Sequence, residues 1–164
     1  MKKVIIKYGL YGALVGAIGF ALSLFFGASE ILGYTAIIIA LSFVFFGVKY
    51  YRDQEHSGKI SFGKALLLGI LITVFTAVGI AIIDGLYVTV INPDFYQEYG
   101  EAALLKMKET GDAIAIAQAE EQMQKFESMS TFELGLFSGG FMFAIVFVIG
   151  LIVSLISGLI LQKK

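Results

Sequence analysis

The 164-residue chain has no cysteine and no tryptophan, and only one histidine and one proline. Without thiols there are no disulfides, thiolate nucleophiles or iron–sulfur clusters, and a single histidine leaves no multi-histidine metal site. Charge is scarce as well: 15% of residues are charged, against about 25% in soluble domains. The 12 basic and 13 acidic residues nearly cancel, at a net charge of -1, which argues against a globally basic nucleic-acid binder. Apolar residues take the place of charge, at 58% of the chain and a mean hydropathy of +0.86. A water-soluble domain is excluded on that composition. The 15 Phe and 8 Tyr exclude a disordered chain, because such chains are poor in aromatic residues.

A bilayer core about 30 Å thick takes about 20 mostly apolar residues as a helix. Four runs meet that length, at about 8–27, 31–48, 64–86 and 139–161. Lys2, Lys3 and Lys7 before the first run and Gly27-Ala28-Ser29 at its end have the layout of a secretory signal. The run itself, at about 20 residues, exceeds the roughly 7–15 of a signal core, so a retained span is expected. Short loops rich in Lys and Arg stay in the cytoplasm. Nine of the 12 basic residues lie before span one, between spans two and three, or after span four. Both termini are therefore expected in the cytoplasm of a multi-pass inner-membrane protein, with residues 92–132 outside. The near-neutral total then divides into a surplus of seven positive charges inside and seven negative charges outside, with Asp84 between them.

Residues 92–132 are too polar to span and too patterned for an unstructured loop. Asn92-Pro93-Asp94 has the chemistry of a helix start, with Asn as cap, Pro at the first helical position and an acid at the positive end of the dipole. That helix should stop at Gly111, and Asp112 should cap a second one carrying Ile116, Met123 and Phe126 on one side. An outer-face helical hairpin between spans three and four is expected. Ser130 and Glu133 have the spacing of a capping box at the start of the last span. Tyr87-Val88-Thr89-Val90 is β-prone and offers an alternative in which the third helix breaks.

Small residues mark the helix faces. Gly9, Gly12, Gly16, Gly19, Ser23 and Gly27 recur at intervals of 3, 4, 3, 4 and 4, which at about 100° per residue confines them to one side of a helix. Span three carries Ala65, Gly69, Thr73, Ala77 and Ala81 at intervals of four, and span four carries Gly150, Ser154 and Gly158. In lipid such faces let helix backbones approach closely, which builds a bundle interior or an oligomer seam.

Asp84 is the one carboxylate inside an apolar run, and an intramembrane acid reads as an ion or proton site. Counting about 20 residues outward from Lys64 also places it near the outer interface, where a carboxylate reaches water. Both readings stand at this level. His56 lies in the basic link and reads as an exposed loop residue. Ser138 would need a base within hydrogen-bond reach to serve as a protease nucleophile, and the one histidine is expected on the opposite side of the membrane, so that role is not assigned. No Gly-rich phosphate loop, paired-carboxylate site or metal spacing appears. No catalytic residue, cofactor or metal is assigned, and a non-enzymatic protein is expected.

The Gly-rich first span opening on Tyr8-Gly9, the exit Gly47-Val48-Lys49-Tyr50-Tyr51-Arg52, the approach Ile60-Ser61-Phe62-Gly63-Lys64-Ala65-Leu66, Asn92-Pro93-Asp94-Phe95-Tyr96 and the Lys-terminated last span cover essentially the whole chain. In these motifs it resembles domain-of-unknown-function family 4199, small bacterial inner-membrane proteins of the Bacteroidota type. The resemblance implies a four-helix membrane protein with an acidic outer segment, and implies no activity. The resulting expectation is an all-α integral membrane protein that assembles with itself or with a membrane-protein partner in the lipid bilayer and binds no nucleic acid. A small-solute or ion transporter using Asp84 and a polar path near Thr73, Thr76 and Thr89 is the alternative.

Overall fold

Apolar runs without proline fold as helices, because lipid offers no water to backbone N–H and C=O groups. The computed structural model describes residues 1–26 and 30–163; Gly27, the end of the small-residue stripe, lies outside the described residues. The apolar runs form α1 (Lys2–Phe25), α2 (Glu30–Tyr50), α3 (Phe62–Leu86) and α6 (Thr131–Leu161). Two shorter helices, α4 (Phe95–Thr110) and α5 (Ala113–Glu127), stand between α3 and α6. The four long helices are each long and apolar enough to cross a membrane, and the described residues form no strand. Leu14, Ile18, Ile38, Leu159 and Ile160 are each about 60% exposed. Apolar surface on this scale suits lipid rather than water, and the architecture is that of an all-α membrane protein.

The β-prone stretch after α3 does not break the helical path. Tyr87–Ile91 continues it as a wider π-helical turn, in which the Asn92 N–H donates to the Tyr87 carbonyl at 2.8 Å. A similar turn, Tyr51–Glu55, extends α2. The third apolar helix thus runs 30 residues and the fourth 31, longer than the roughly 20 a bilayer core requires.

The ends of the short helices follow local chemistry. Gly111 closes α4 in the left-handed region, at φ 71°, where a Cβ would be strained. Asp112 caps α5 by accepting from the Ile114 and Ala115 amides at 3.0 and 3.2 Å. Ser130 and Glu133 bond reciprocally: the Ser130 amide and hydroxyl donate to the carboxylate, and the Glu133 amide donates to Ser130 Oγ. The start of α4 differs from the sequence expectation. The helix begins at Phe95, after Asp94, and Asn92 instead donates from its side chain to Glu98 at 3.1 Å. The turn through Pro93 precedes the helix, so Asn92 lies two residues too early to cap it. Replacing Asp112 with alanine should cost α5 about 1 kcal/mol, read as faster amide exchange at Ile114 and Ala115; unchanged exchange would show that the cap contributes nothing.

The chain forms two compact units, Met1–Ile83 with Gly140–Lys164, and Asp84–Gly139. In the first unit the α1 stripe is buried at Gly9, Gly12, Gly16 and Ser23. It receives larger side chains from its neighbours. A Cβ built on Gly9 would lie 2.6 Å from Phe75 Cβ, one on Gly16 2.7 Å from Ile80 Cδ1, and one on Gly19 2.7 Å from Ala36 Cβ. Gly12 sits against Thr76 of α3 and the Ala40 carbonyl of α2 at once. A second contact joins small residues directly: Gly69 and Thr73 of α3 meet Ser154 and Gly150 of α6, and the Thr73 and Ser154 hydroxyls are 3.3 Å apart. Gly158 faces Phe62, and Ala77 is fully buried. Gly79, outside the predicted stripe, closes on Ala13, whose Cβ would stand 2.6 Å from a methyl group there.

Candidate functional site

The second unit holds the acid that the sequence singles out. Asp84 is 7% exposed, and its Oδ2 accepts a hydrogen bond from Ser138 Oγ at 2.5 Å. Two glycines bring them together. A Cβ on Gly85 would stand 2.9 Å from the Gly135 carbonyl oxygen, and one on Gly135 3.1 Å from the Gly85 carbonyl oxygen. The last turn of α3 and the first turns of α6 therefore touch backbone to backbone. Asp84 beside Gly85 and Ser138 one turn after Gly135 reach each other across that contact. A hydroxyl bond to a carboxylate is of the charge-assisted class and ties the two helices.

Tyr96 of α4 completes the group. Burial pushes its phenol above the usual range, the Asp84 charge pushes it the same way, and its hydrogen bond with Ser138 opposes both. The phenol therefore stays neutral through physiological pH. Its ring stacks on Phe126 of α5 at 4.6 Å and meets Phe137 of α6 edge-on at 6.1 Å, while Phe126 and Phe137 are 5.7 Å apart. Gly100 lets α4 and α5 close, since a Cβ there would lie 2.7 Å from Met123 Cγ.

Between α4 and α5 this packing leaves a cleft of about 120 Å³. Tyr96, Met123, Phe126, Met129 and Leu134 give it apolar walls, and Asp94, Gln97 and Glu127, all exposed, add polar groups. Neither Asp94 nor Glu127 is in an ion pair among the described residues. An apolar, aromatic and thioether wall beside free carboxylates suits an aliphatic stem that ends in a positive charge.

The sequence reading reached Asp84 and missed its partners. From the sequence Ser138 stands out only as a candidate nucleophile; in the structure its hydroxyl is committed to the Asp84 carboxylate. The available signal was Gly85 next to the acid and Gly135 three residues before Ser138. The hydroxyls of the imagined polar path are likewise engaged: Thr76 donates to the Ile72 carbonyl at 3.2 Å, Thr89 to the Gly85 carbonyl at 2.9 Å, and Thr73 pairs with Ser154. His56, read as an exposed loop residue, is half-buried in the first unit, with Nε2 2.7 Å from the Tyr51 hydroxyl and 3.2 Å from Lys64 Nζ. Tyr51, itself 4% exposed, packs edge-on against the imidazole and draws it in from solvent.

A family model described as "Protein of unknown function (DUF4199)" matches residues 7–163. No curated protein and no solved structure matches the chain.

Proposed function

The chain belongs to the DUF4199 family, and from that premise we propose that it is a non-enzymatic protein of the bacterial inner membrane that binds a basic membrane-protein partner through its α4–α5 pair. The cleft between those helices carries the reading, because it sets apolar walls beside carboxylates that form no ion pair among the described residues. Residues 92–132 hold eight acidic residues against Lys106, Lys108 and Lys125. Two copies facing each other through this surface would repel, so charge complementarity favours a different, basic partner. Met1, Lys163 and the α2–α3 link lie at one end of the first unit, where the Met1 amine pairs with Glu55 at 2.8 Å and Ile60 exchanges backbone hydrogen bonds with Lys163. The lysines of that end support a cytoplasmic placement for it and an outer placement for α4–α5. The transport alternative gains no comparable support, since the hydroxyls it needs already have partners within the protein.

A photo-crosslinking residue at position 97, at the cleft, tests this in native membranes. The expected result is an adduct with one protein through a Lys- or Arg-rich segment, reduced at least tenfold by the double substitution Asp94→Lys, Glu127→Lys. Adducts that are only lipid or a second copy, or that survive the charge reversal, would overturn the reading.

A further inference from the structure

At the end of the first unit where α1 begins, α2 closes and α3 opens, the lysines outnumber the acids available to them. Lys2, Lys3, Lys7, Lys49, Lys59 and Lys64 are all exposed there. The carboxylates of that end are already engaged: Asp53 accepts from Arg52 at 2.6 Å and Glu55 from the Met1 amine at 2.8 Å. Lys64 lies over one ring, that of Tyr51 at 5.9 Å, whereas Lys7 is held by two. Its ammonium lies 5.7 Å from the Tyr8 ring centroid and 5.2 Å from that of Tyr50, so one ring from α1 and one from α2 hold it between the helices. Aromatic faces fix a cation in place and leave its charge unneutralised. The Tyr8 and Tyr50 hydroxyls have no hydrogen-bond partner among the described residues.

What continues inward from Lys7 identifies the occupant. One helical turn deeper, Tyr11 of α1 meets Phe43 of α2 edge-on at 5.9 Å, and Leu10, Leu14 and Phe46 beside them are 48%, 60% and 51% exposed. The apolar run of α1 starts at Tyr8 and that of α2 ends at Val48, so Lys7 and Tyr50 stand at headgroup depth and the apolar strip at acyl-chain depth. We propose that the α1–α2 seam at Lys7, Tyr8 and Tyr50 is a binding site for an anionic phospholipid, with Lys7 on the headgroup phosphate and an acyl chain along Tyr11, Leu14 and Phe46. A free phosphate would use the cation and leave the strip unused.

The test is native mass spectrometry of the full chain in a neutral detergent with added phosphatidylglycerol or phosphatidylcholine. Phosphatidylglycerol should be retained at least fivefold better than phosphatidylcholine. Lys7→Gln should weaken that retention about fivefold, the effect of one lysine at an anionic surface. Lys3→Gln removes the same charge from the same end and should change it less than twofold. Equal retention of the two lipids overturns the proposal, and so does an equal loss from Lys3→Gln, which would mean diffuse attraction. Displacement by millimolar inorganic phosphate, with no dependence on lipid chain length, would reassign the site to a free anion.

Discussion

Gly12→Leu should destabilise the protein by about 3 kcal/mol, the upper part of the range for overpacking a closed interior, and lower its thermal midpoint in detergent by about 6–12 °C. Gly12 is where three helices converge. A side chain there runs into Thr76 of α3 while the Ala40 carbonyl of α2 stands 3.1 Å away. Thr76 is fully buried, and its branched side chain has little rotamer freedom with which to yield. Backbone must then move, and in lipid close backbone approach is itself a main source of helix association. Gly140→Ala and Gly63→Ala are the matched controls, because a Cβ at either position meets nothing within 4 Å. They should be neutral or stabilising, by up to about 1 kcal/mol. A Gly12→Leu protein that melts with the wild type would show that α1, α2 and α3 do not meet at this glycine.

Ser138→Ala should be the most damaging substitution in the second unit, at about 2–3 kcal/mol. It leaves the Asp84 carboxylate, 7% exposed, without its donor, and a buried acceptor stripped of its partner bears its full desolvation penalty, more so when charged. Asp84→Asn keeps an oxygen that can accept from Ser138 and should cost less than half as much. The double substitution Asp84→Leu, Ser138→Ala removes both polar groups of the pair and should cost less than Ser138→Ala alone, since only the half-buried Tyr96 hydroxyl then loses a partner. Thermal unfolding of the wild type, Asp84→Leu, Ser138→Ala and the double substitution forms a cycle with an expected coupling of at least about 1.5 kcal/mol. Costs that simply add would mean that the 2.5 Å contact contributes nothing to holding the helices together.

These two predictions rest on features of unequal legibility. The Gly12 stripe is visible in the chain because its period matches one side of a helix. That Thr76 and Ala40 would fill it is not, because α3 is apolar on every side and its small-residue pattern at positions 65, 69, 73, 77 and 81 does not include Thr76. Gly79 shows the consequence: it lies off the four-residue pattern of span three and still makes a backbone-close contact with Ala13. Asp84 stands out as the lone acid in an apolar run, whereas Ser138 lies 54 residues away, and no local rule connects them. His56, Tyr51 and Lys64 are closer in sequence, but a π-helical turn and a left-handed Ser57-Gly58 pair bring them together, and neither has a clear periodic signature.

The sequence by itself determined the number of the apolar helices, the stop of α4 at Gly111, and the caps at Asp112 and Ser130–Glu133. It also determined the separation of positive from negative segments. Each of these depends on composition or on groups within one helical turn, a range over which sequence spacing and spatial distance are the same thing. Only the tertiary structure decided which glycine receives which side chain, that Ser138 answers Asp84, and that Lys7 is held between rings from two helices. Those choices depend on how each apolar helix is rotated about its own axis. In a helix apolar all round the hydrophobic pattern is nearly indifferent to that rotation, and it is set by whichever small residues let two backbones come closest.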